Sequence, residues 1–415
     1  MRVGVVGLGY VGLPLAVAFA EEGHEVVGLD ADPRKVDALA EGRSYVGDVA
    51  SERLAALAGR LTPTSRYPDL SACDAVIICV PTPLTNSREP DLSYVVDAAT
   101  SLAAVLQKGQ LIVLESTTYP GTTRERLRPI LEESGLAAGR DFHLAFSPER
   151  IDPGRTDFTI RTTPKVVGGL TEDCTRRAVE LYSQICDEVV EVSNPDAAEL
   201  SKLLENIFRS VNIALVNEMA MLCERLGIDV WEVIDAAASK PFGFMRFDPG
   251  PGMGGHCLPV DPFYLSYKAR EHDFYTEFIE LAGKINQNQP HWCVWRIERA
   301  LNDAGKATNG AKVLVLGVSY KAGVGDVRES PALKIIRELG ELGAEVSFHD
   351  PHVPELPDLG LASADLDDSL GAADLVCIVT AHPTLDYQKV VDDSALVIDF
   401  RGVTRGIEAS NLVRL

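Results

Sequence analysis

A glycine-rich turn near the start of the chain restricts what the first domain can be. Gly7, Gly9 and Gly12 follow a β-branched run at residues 2–7 and open an apolar segment with helical periodicity. Gly7 permits a tight turn, Gly9 lets the backbone approach a pyrophosphate, and Gly12 permits close packing of helix on strand. Asp30 ends the next predicted strand, 18 residues after Gly12, where a carboxylate accepts a hydrogen bond from a ribose 2′-hydroxyl. The pattern predicts a dinucleotide-binding βαβ unit.

The same turn favours NAD over NADP. The Asp30 carboxylate would repel a 2′-phosphate, although Arg34 and Lys35 nearby weaken that preference. A glycine-rich turn without a ligand is the alternative, and it is disfavoured because strand, helix and acidic residue all agree. The predicted cofactor contacts in this region are Gly7, Gly9, Tyr10, Val11, Gly12, Asp30 and Lys35.

The composition restricts the partners and the compartment. A formal net charge of −22 argues against nucleic acid or an anionic membrane as a partner, because both require a basic surface. The eight cysteines are scattered without a CxxC pair, as expected for a reducing cytoplasm. Residues 1–20 resemble a secretory leader, but glycines and Pro14 interrupt the apolar run. We therefore predict a cytoplasmic protein with no membrane span and no metal site.

Alternating strand and helix patterns at both ends of the chain predict the fold. A chain of 415 residues exceeds the size of a single hydrophobic core. Asn194 as cap and Pro195 at the first helical position predict a helix that continues to about residue 225. The prediction is an α/β protein with two doubly wound Rossmann-like domains, joined by a long central helix and a helical linker region. The predicted domains are residues 1–193, 194–304 and 305–415. The predicted strands are residues 2–7, 25–30, 75–80, 111–115, 143–146, 165–168, 312–317, 345–350, 374–380 and 396–399.

Cys257 is the candidate nucleophile. It follows Gly254, Gly255 and His256, and it stands four residues before Asp261. Flanking glycines would leave the sulfur accessible and leave backbone N–H groups free to favour a thiolate. An inert buried cysteine is the alternative, and the residues alone leave the two readings balanced.

Further candidates lie on the long helix and at strand ends. Lys202 and Asn206 share one helix face and could hold an oxyanion and a water, unless that face is merely solvated. Glu149 could orient water or act as a base, or it could cap a helix or pair with Arg150. Thr82 and Thr117 follow predicted strands and are candidate cofactor contacts, or they cap turns.

Taken together, these segments resemble the nucleotide-sugar 6-dehydrogenases, the family of UDP-glucose and UDP-N-acetylhexosamine dehydrogenases. The resemblance runs nearly end to end and in family order. Its motifs are GLGYVGLP, VPTPL, ESTTYPGTT, FSPERIDPG, ELSKLLENIFRSVNIALVNE, GPGMGGHCLPVDP, SYKAGVGDVRESPALKI and RG at 401–402. Residues 239–244 leading into 249–252 look most like the UDP-N-acetylglucosamine branch. Ser-Pro-Glu-Arg at 147–150 is similar to the N-acetylhexosamine enzymes and unlike the UDP-glucose enzymes. Pro259 and Val260 stand where the UDP-glucose branch often has a basic residue.

The resemblance implies a cytoplasmic enzyme of polysaccharide biosynthesis, usually dimeric through the long helix. It implies a four-electron oxidation of C6 of a UDP-sugar, with NAD as acceptor and Cys257 as the nucleophile. Lys202 and Asn206 would hold the oxyanion and water, Asp261 would assist proton transfer, and Glu149 and Thr117 would complete the water network. The C-terminal domain would bind the uridine diphosphate. The substrate contacts implied are Glu149, Arg150, Lys202, Asn206, Gly254, Lys321 and Arg401, with Arg328 as a further possibility.

Other readings of the same residues are weaker. UDP-ManNAc and UDP-glucose remain alternative substrates. A two-electron β-hydroxyacid dehydrogenase of the 6-phosphogluconate dehydrogenase type also has a dinucleotide fold, a long helix and a Lys-x-x-x-Asn pair. It lacks the Gly-Gly-x-Cys loop and the second doubly wound domain. A non-enzymatic NAD sensor would have no use for both a nucleophilic cysteine and an oxyanion-binding lysine.

Overall fold

Strands alternating with helices build the first of the two units into which the chain divides. The computed structural model describes residues 1–85, 88–150, 157–255 and 258–415. The first unit comprises Met1–Glu205 with Phe263–Tyr275, and the second comprises Asn206–Pro262 with Thr276–Leu415. The division between the two falls inside the long central helix. The three-domain division of the sequence remains a prediction.

Eight strands form the sheet of the first unit. They are β1 (Arg2–Val6), β2 (Glu25–Leu29), β3 (Leu61–Thr64), β4 (Ala75–Ile78), β5 (Leu111–Leu114), β6 (His143–Phe146), β7 (Lys165–Gly169) and β8 (Val189–Val192). Their order in the sheet is β3-β2-β1-β4-β5-β6-β7-β8. The chain crosses over between β1 and β4, so the carboxyl ends of these two strands flank the crevice where open sheets bind ligands.

Helices cover both faces of this sheet. They are α1 (Gly12–Glu21), α2 (Pro33–Ala40), α3 (Ser51–Ala56), α4 (Ser93–Ala103), α5 (Arg128–Glu132) and α6 (Glu172–Tyr182), with a wide helical turn at Thr122–Leu127 and a short turn at Tyr67–Leu70. One apolar cluster joins the sheet to α1 and α6, and a second joins its other face to α4 and α5. The central strands are apolar on both faces because both faces are covered.

The sheet differs from the prediction at its edge. Strand β7 pairs antiparallel with β6, whereas the other neighbouring strands pair in parallel. The sequence analysis expected a parallel sheet, and it missed β3 and β8 altogether. Both of these lie at sheet edges, where the burial pattern is weaker.

The long helix α7 (Pro195–Leu226) has 32 residues and confirms the prediction of a central helix. The side chain of Asn194 accepts the backbone N–H of Ala197 at 2.9 Å, which satisfies one of the unpaired donors at the helix start.

The second unit holds the predicted second doubly wound sheet. Its strands are β9 (Lys312–Leu316), β10 (Glu345–His349), β13 (Leu375–Ile378), β14 (Val397–Asp399) and β15 (Leu412–Arg414), with a small hairpin of β11 (Glu355–Leu356) and β12 (Leu361–Ala362). The order β10-β9-β13-β14-β15 is all parallel and places the crossover between β9 and β13. The fold class is therefore confirmed.

The remaining helices are α8 (Val230–Ala238), α9 (Asp261–Arg270), α10 (Glu277–Asp303), α11 (Pro331–Glu341), α12 (Leu366–Leu370) and α13 (Tyr387–Asp393), with a short turn at Pro357–Leu359. One face of the second sheet packs against side chains of α8, α10 and α11, and the other packs against α12 and α13. Across the described ranges, none of the helices combines the length and apolar character that crossing a bilayer requires.

Candidate functional site

The glycine turn after β1 is built to receive a pyrophosphate. Gly7 has a φ of 92°, and its N–H donates to the Leu29 carbonyl at 2.7 Å. A Cβ on Gly12 would overlap the Gly7 carbonyl, so only glycine permits this approach of helix to turn. A Cβ on Gly9 would meet no atom within 4 Å, which leaves the backbone open to a ligand. Helix α1 starts at Val11 and Gly12 without a side-chain cap and without an acidic residue in its first turn, so its N-terminal N–H groups suit an anion.

Asp30 stands at the end of β2 beside this turn. Its carboxylate accepts the backbone N–H groups of Leu8 and Asp32, each at 2.9 Å, and forms an ion pair with Lys35 at 3.0 Å. A carboxylate has about four acceptor positions, so it can still accept a ribose hydroxyl. The turn, the helix start and Asp30 together fit a dinucleotide. Tyr10 is half exposed in the turn.

Tyr45 is a neighbour of this site that the sequence analysis missed. Its hydroxyl donates to the Leu8 carbonyl at 2.7 Å. Burial raises the pKa of Tyr45 above its usual value, so the phenol stays a neutral donor. Nothing in the local sequence marks this tyrosine, because its partner lies 37 residues away.

Lys202 and Thr117 meet at the carboxyl edge of the first sheet. Lys202 is buried on α7, and its ammonium donates to the hydroxyl oxygen of Thr117, which follows β5. One turn earlier on α7, the buried carboxylate of Glu199 accepts the N–H groups of Gly121 at 2.6 Å and Thr123 at 2.8 Å. Helix α7 therefore holds the segment after β5 at Thr117, Gly121 and Thr123.

Two other threonines lie along this edge. Thr82, after β4, is buried, and its carbonyl accepts the Tyr264 hydroxyl at 3.0 Å. Thr118 is also buried, and among the residues that the structure describes its hydroxyl has no hydrogen-bond partner. The sequence analysis selected Thr117 and passed over this neighbour.

Asn206 and Asp261 form a second pair, in the second unit. The Asn206 amide donates to a carboxylate oxygen of Asp261 at 2.5 Å. Asp261 is fully buried at the first residue of α9. The structure therefore joins two residues that the sequence analysis selected separately.

Cys257 and His256 lie outside the described residues, but the glycines before them are defined. The N–H of Gly250 donates to the Asn217 side chain at 3.0 Å, and that of Gly255 donates to the Arg328 carbonyl at 2.9 Å. The expectation that the N–H groups of this loop are free is wrong at these two positions. Gly254 lies so close to Tyr320 that a Cβ would stand 2.7 Å from the Cβ of that tyrosine. These glycines serve close packing.

Glu149 lies just after β6 with its side chain mostly buried. Its carboxylate accepts the backbone N–H of Arg150 at 2.8 Å and stands 3.6 Å from the Lys165 ammonium. The ion pair with the Arg150 side chain that the sequence left open is not the arrangement found. The Arg150 guanidinium instead pairs with Glu205 at 2.8 Å and donates to the Pro164 carbonyl at 2.6 Å.

A cavity opens at the carboxyl edge of the second sheet. Its volume is about 550 Å³, and its lining includes Tyr387, Arg401 and Arg405. The buried carboxylate of Asp399 accepts the backbone N–H groups of Arg401 at 2.7 Å and Gly402 at 2.9 Å, which fixes the loop after β14. Two arginines on a polar rim suit an anionic ligand.

The loop that carries Lys321 is fixed beside the second sheet. The Ser319 hydroxyl donates to the Lys321 carbonyl at 2.9 Å. Asp350 accepts the N–H of Val318 at 2.7 Å and pairs with the buried His382 at 3.0 Å. These bonds hold the pKa of Asp350 at about 2, despite its burial.

Comparisons with known proteins agree with this organisation. Sequence models of the UDP-glucose/GDP-mannose dehydrogenase family match three successive regions: the NAD binding domain at residues 1–186, the central domain at 196–288 and the UDP binding domain at 314–406. The chain is 35% identical to a UDP-N-acetyl-D-mannosamine dehydrogenase of Pyrococcus horikoshii, over 98% of this chain and all of that protein. It is 36% identical to a UDP-N-acetyl-D-glucosamine 6-dehydrogenase of Pseudomonas aeruginosa, over 92% of this chain and 90% of that one.

Solved structures give the same result. The structure of the P. horikoshii UDP-D-ManNAc dehydrogenase superimposes with a TM-score of 0.92 at 34% identity, covering all of this chain and 99% of that one. A UDP-glucose dehydrogenase from Pyrobaculum islandicum gives a TM-score of 0.89 at 30% identity, covering 99% and 96%. The chain belongs to the UDP-glucose/GDP-mannose dehydrogenase family and is an NAD-dependent UDP-sugar dehydrogenase.

Proposed function

We propose that this enzyme oxidises C6 of a UDP-N-acetylhexosamine, with UDP-GlcNAc as the first candidate, to the uronic acid in a four-electron reaction. The observation that carries the proposal is the buried ammonium of Lys202 at the carboxyl edge of the dinucleotide-binding sheet, bonded to Thr117. A desolvated ammonium at this edge stabilises an oxyanion far better than one in water. The motifs around Cys257 supply the nucleophile that distinguishes a four-electron from a two-electron dehydrogenase.

The first oxidation converts the alcohol to an aldehyde. C6 loses a hydride, and the proton of its hydroxyl group is transferred with the help of Asp261. When bound, NAD⁺ supplies the hydride acceptor for each of the two oxidations. Asn206 bonds Asp261 at 2.5 Å, which orients that carboxylate for proton transfer.

The second oxidation proceeds on the enzyme. The Cys257 thiolate adds to the aldehyde carbon, and the resulting oxyanion is held by Lys202 and Asn206. Loss of a second hydride leaves a thioester. Water, oriented by Glu149 and Thr117, attacks the thioester carbon, gives up its proton and releases the thiolate. One alcohol and one water thus yield one carboxylate, two reduced cofactors and three protons.

The uridine diphosphate is assigned to the second unit. The cavity beside Arg401 and the loop that carries Lys321 supply cations, and Gly254 and Arg150 are assigned to the sugar. A UDP-linked uronic acid is an activated precursor of acidic glycans, so we assign the enzyme to polysaccharide biosynthesis.

UDP-ManNAc is the second candidate substrate, because relatives about 35% identical over nearly the whole chain carry that name. UDP-glucose is disfavoured by Pro259 and Val260 after the cysteine. The experiment is a panel of the UDP-linked forms of GlcNAc, ManNAc, GalNAc and glucose, with NADH counted for each sugar consumed. We expect two NADH and a uronic acid, with the highest kcat/KM for UDP-GlcNAc. One NADH with an accumulating aldehyde would contradict the four-electron reaction.

A cysteine variant tests the nucleophile. We expect Cys257→Ser to lose turnover while NAD⁺ affinity, measured by calorimetry, stays near wild type. The control is Cys223→Ser, a buried cysteine on α7, which should keep turnover. An active Cys257→Ser enzyme would remove the thiol from the mechanism.

We also propose that the enzyme is a homodimer assembled through α7. Exposed apolar side chains recur on one face of this helix: Leu200, Leu204, Phe208, Leu215, Leu222 and Leu226. At 100° per residue they fall within about one quarter of the helix circumference. Ordinary protein surfaces expose apolar side chains singly, whereas these six form one continuous stripe. A second copy of the same helix offers a matching partner.

A further inference from the structure

Tyr45 connects the loop after α2 to the glycine turn that follows β1. Its hydroxyl donates to the carbonyl of Leu8 at 2.7 Å, across 37 positions of the sequence. The ring packs on the apolar cluster that joins the sheet to α1 and α6, and the Lys35 ammonium lies 5.9 Å from the centre of the ring. A side chain from well outside the turn therefore holds one of the carbonyl groups of the turn.

The backbone on both sides of Tyr45 is fixed. The N–H of Ser44 donates to the hydroxyl oxygen of Ser51 at 3.0 Å, and the Ser44 hydroxyl donates to the Val46 carbonyl at 3.1 Å. Val46 is buried in the same apolar cluster on which the Tyr45 ring packs. The Tyr45 hydroxyl therefore reaches Leu8 from a fixed position and not as a mobile surface side chain.

Three successive peptide groups of the turn are held by three different hydrogen bonds. The N–H of Gly7 donates to a carbonyl of β2 at 2.7 Å, and the N–H of Leu8 donates to the Asp30 carboxylate at 2.9 Å. The next peptide group consists of the Leu8 carbonyl and the Gly9 N–H, and the Tyr45 hydroxyl holds its carbonyl. Tyr45 thus completes a series of restraints that β2 and Asp30 begin.

Holding this carbonyl also orients the Gly9 N–H. A trans peptide group is planar, so its C=O and N–H point in opposite directions. Because the carbonyl points towards the Tyr45 hydroxyl, the Gly9 N–H points away from it. A Cβ on Gly9 would meet no atom within 4 Å, so the backbone here is open to a ligand. Backbone N–H groups of a glycine turn before a helix are donors that bind the phosphates of a dinucleotide.

The alternative is that the Tyr45 hydroxyl only stabilises the fold. A hydrogen bond between neutral groups contributes modestly to stability, and phenylalanine would keep the packing of the ring. The position of the bond favours a role in binding. The bonds to β2 and to Asp30 hold the two preceding peptide groups, and Tyr45 holds the group that carries the Gly9 N–H.

We propose that Tyr45 is a positioning residue for NAD, whose hydroxyl fixes the Leu8–Gly9 peptide group so that the Gly9 N–H faces the pyrophosphate. The inference concerns the cofactor and does not depend on which UDP-sugar is oxidised. A donor that is already oriented binds its ligand without the entropic cost of being ordered. Losing the restraint should therefore weaken binding of the pyrophosphate and leave the ribose contact expected at Asp30 unchanged.

The experiment compares Tyr45→Phe with the wild-type protein by calorimetric titration of NAD⁺, NADH and ADP-ribose. We expect the Kd of each to rise about three- to ten-fold, the effect of one hydrogen bond. Adenosine lacks the pyrophosphate and should bind equally well to both proteins, measured by its displacement of NADH. In steady-state kinetics the KM for NAD⁺ should rise by a similar factor. The kcat at saturating NAD⁺ and the KM for the UDP-sugar should stay near wild type.

The matched control is Tyr67→Phe, which removes a tyrosine hydroxyl from the same unit. Tyr67 opens the short turn Tyr67–Leu70, and its partly buried ring packs on the other face of the sheet. Cofactor affinity should fall in Tyr45→Phe and not in Tyr67→Phe. A purely structural role of Tyr45 would instead lower its stability in urea titrations without changing the KM for NAD⁺.

Several outcomes would overturn the inference. An unchanged affinity of folded Tyr45→Phe for ADP-ribose would do so, as would an equal loss of affinity in Tyr67→Phe. An equal loss for adenosine would show that the effect lies at the ribose and not at the pyrophosphate. If Tyr45→Phe does not fold by circular dichroism, Ser44→Ala carries the test, because it removes the hydroxyl that fixes the backbone beside Tyr45. That variant should bind ADP-ribose more weakly and adenosine equally well, and an unchanged affinity for ADP-ribose would contradict the proposal.

Discussion

We propose that Asp30 and Lys35 together decide which dinucleotide the first unit accepts. We expect a ribose hydroxyl to bind the Asp30 carboxylate, and the Lys35 ammonium lies 3.0 Å from that carboxylate. Removing the carboxylate frees a cation for a 2′-phosphate, and the exposed Arg34 lies one residue before it. We therefore expect the negative charge of Asp30 to set the cofactor selectivity, because it neutralises positive charge that a 2′-phosphate could otherwise bind.

We expect Asp30→Ser to shift cofactor selectivity towards NADP⁺. The ratio of kcat/KM for NADP⁺ to that for NAD⁺ should rise at least about ten-fold, a change of roughly 1.4 kcal/mol in relative transition-state stability. Steady-state kinetics with both cofactors measures it. Asp32→Ser is the matched control, because Asp32 caps α2 and serine is an equally good cap. An equal rise of this ratio in Asp32→Ser would show that the effect comes from the loss of any nearby negative charge and not from Asp30 in particular.

At the scale of elements, Glu199 couples α7 to the segment after β5. Burial raises the pKa of this carboxyl from 4.5 to about 7, and the hydrogen bonds from Thr123 and Gly121 oppose the rise only in part. Because the folded-state pKa lies above the unfolded value, the stability associated with the protonated group is complete below about pH 4.5. It is lost as the pH rises through about 7.

This linkage predicts a pH-dependent difference between wild type and Glu199→Gln. Glutamine cannot ionise, so the wild-type protein should lose roughly 2–3 kcal/mol of unfolding free energy relative to the variant between pH 5 and pH 8. Urea titrations at both values measure the difference. Glu218→Gln, which changes an exposed carboxylate on the same helix, should show no such trend. A constant offset between wild type and Glu199→Gln would contradict the prediction.

The elements that the sequence predicted are those whose burial is uniform. Strands β1, β4 and β5 are buried on both faces, and they read as continuous β-branched runs. Strand β3 contains Pro63, which removes a ladder donor and is tolerated at a sheet edge. Strand β8 is largely exposed. Neither edge strand shows the pattern on which sequence analysis depends.

The site was predictable only as separate residues. Thr117 and Lys202 each had a local reason to be selected, but their contact spans 85 positions. Lys165 and Glu115, whose buried ammonium and carboxylate lie 2.8 Å apart, had none, because a charged residue at either end of an apolar run usually marks the boundary with solvent. Their pairing inside the protein follows from the order of β5, β6 and β7 in the sheet, which local sequence does not encode.

At the scale of the whole molecule, assembly should depend on the apolar face of α7. In a two-fold dimer each substitution on this face occurs twice in the interface. Leu215 is more than half exposed and lies in the stripe between Phe208 and Leu222. Glutamate there would bury two carboxylates without partners, and each costs several kcal/mol.

We therefore expect the wild-type protein to be a dimer and Leu215→Glu to be a monomer of 44.8 kDa, measured by light scattering after size-exclusion chromatography. Val96→Glu is the matched control, because Val96 is an exposed apolar residue on α4, and it should remain dimeric. A wild-type protein that is monomeric at micromolar concentration would contradict the proposal. A dimer that persists in Leu215→Glu would show that the interface lies on another surface. Because Lys202 and Asn206, the proposed oxyanion-binding residues, lie on the same helix as the stripe, the kcat of the monomer also tests whether pairing of α7 supports their position.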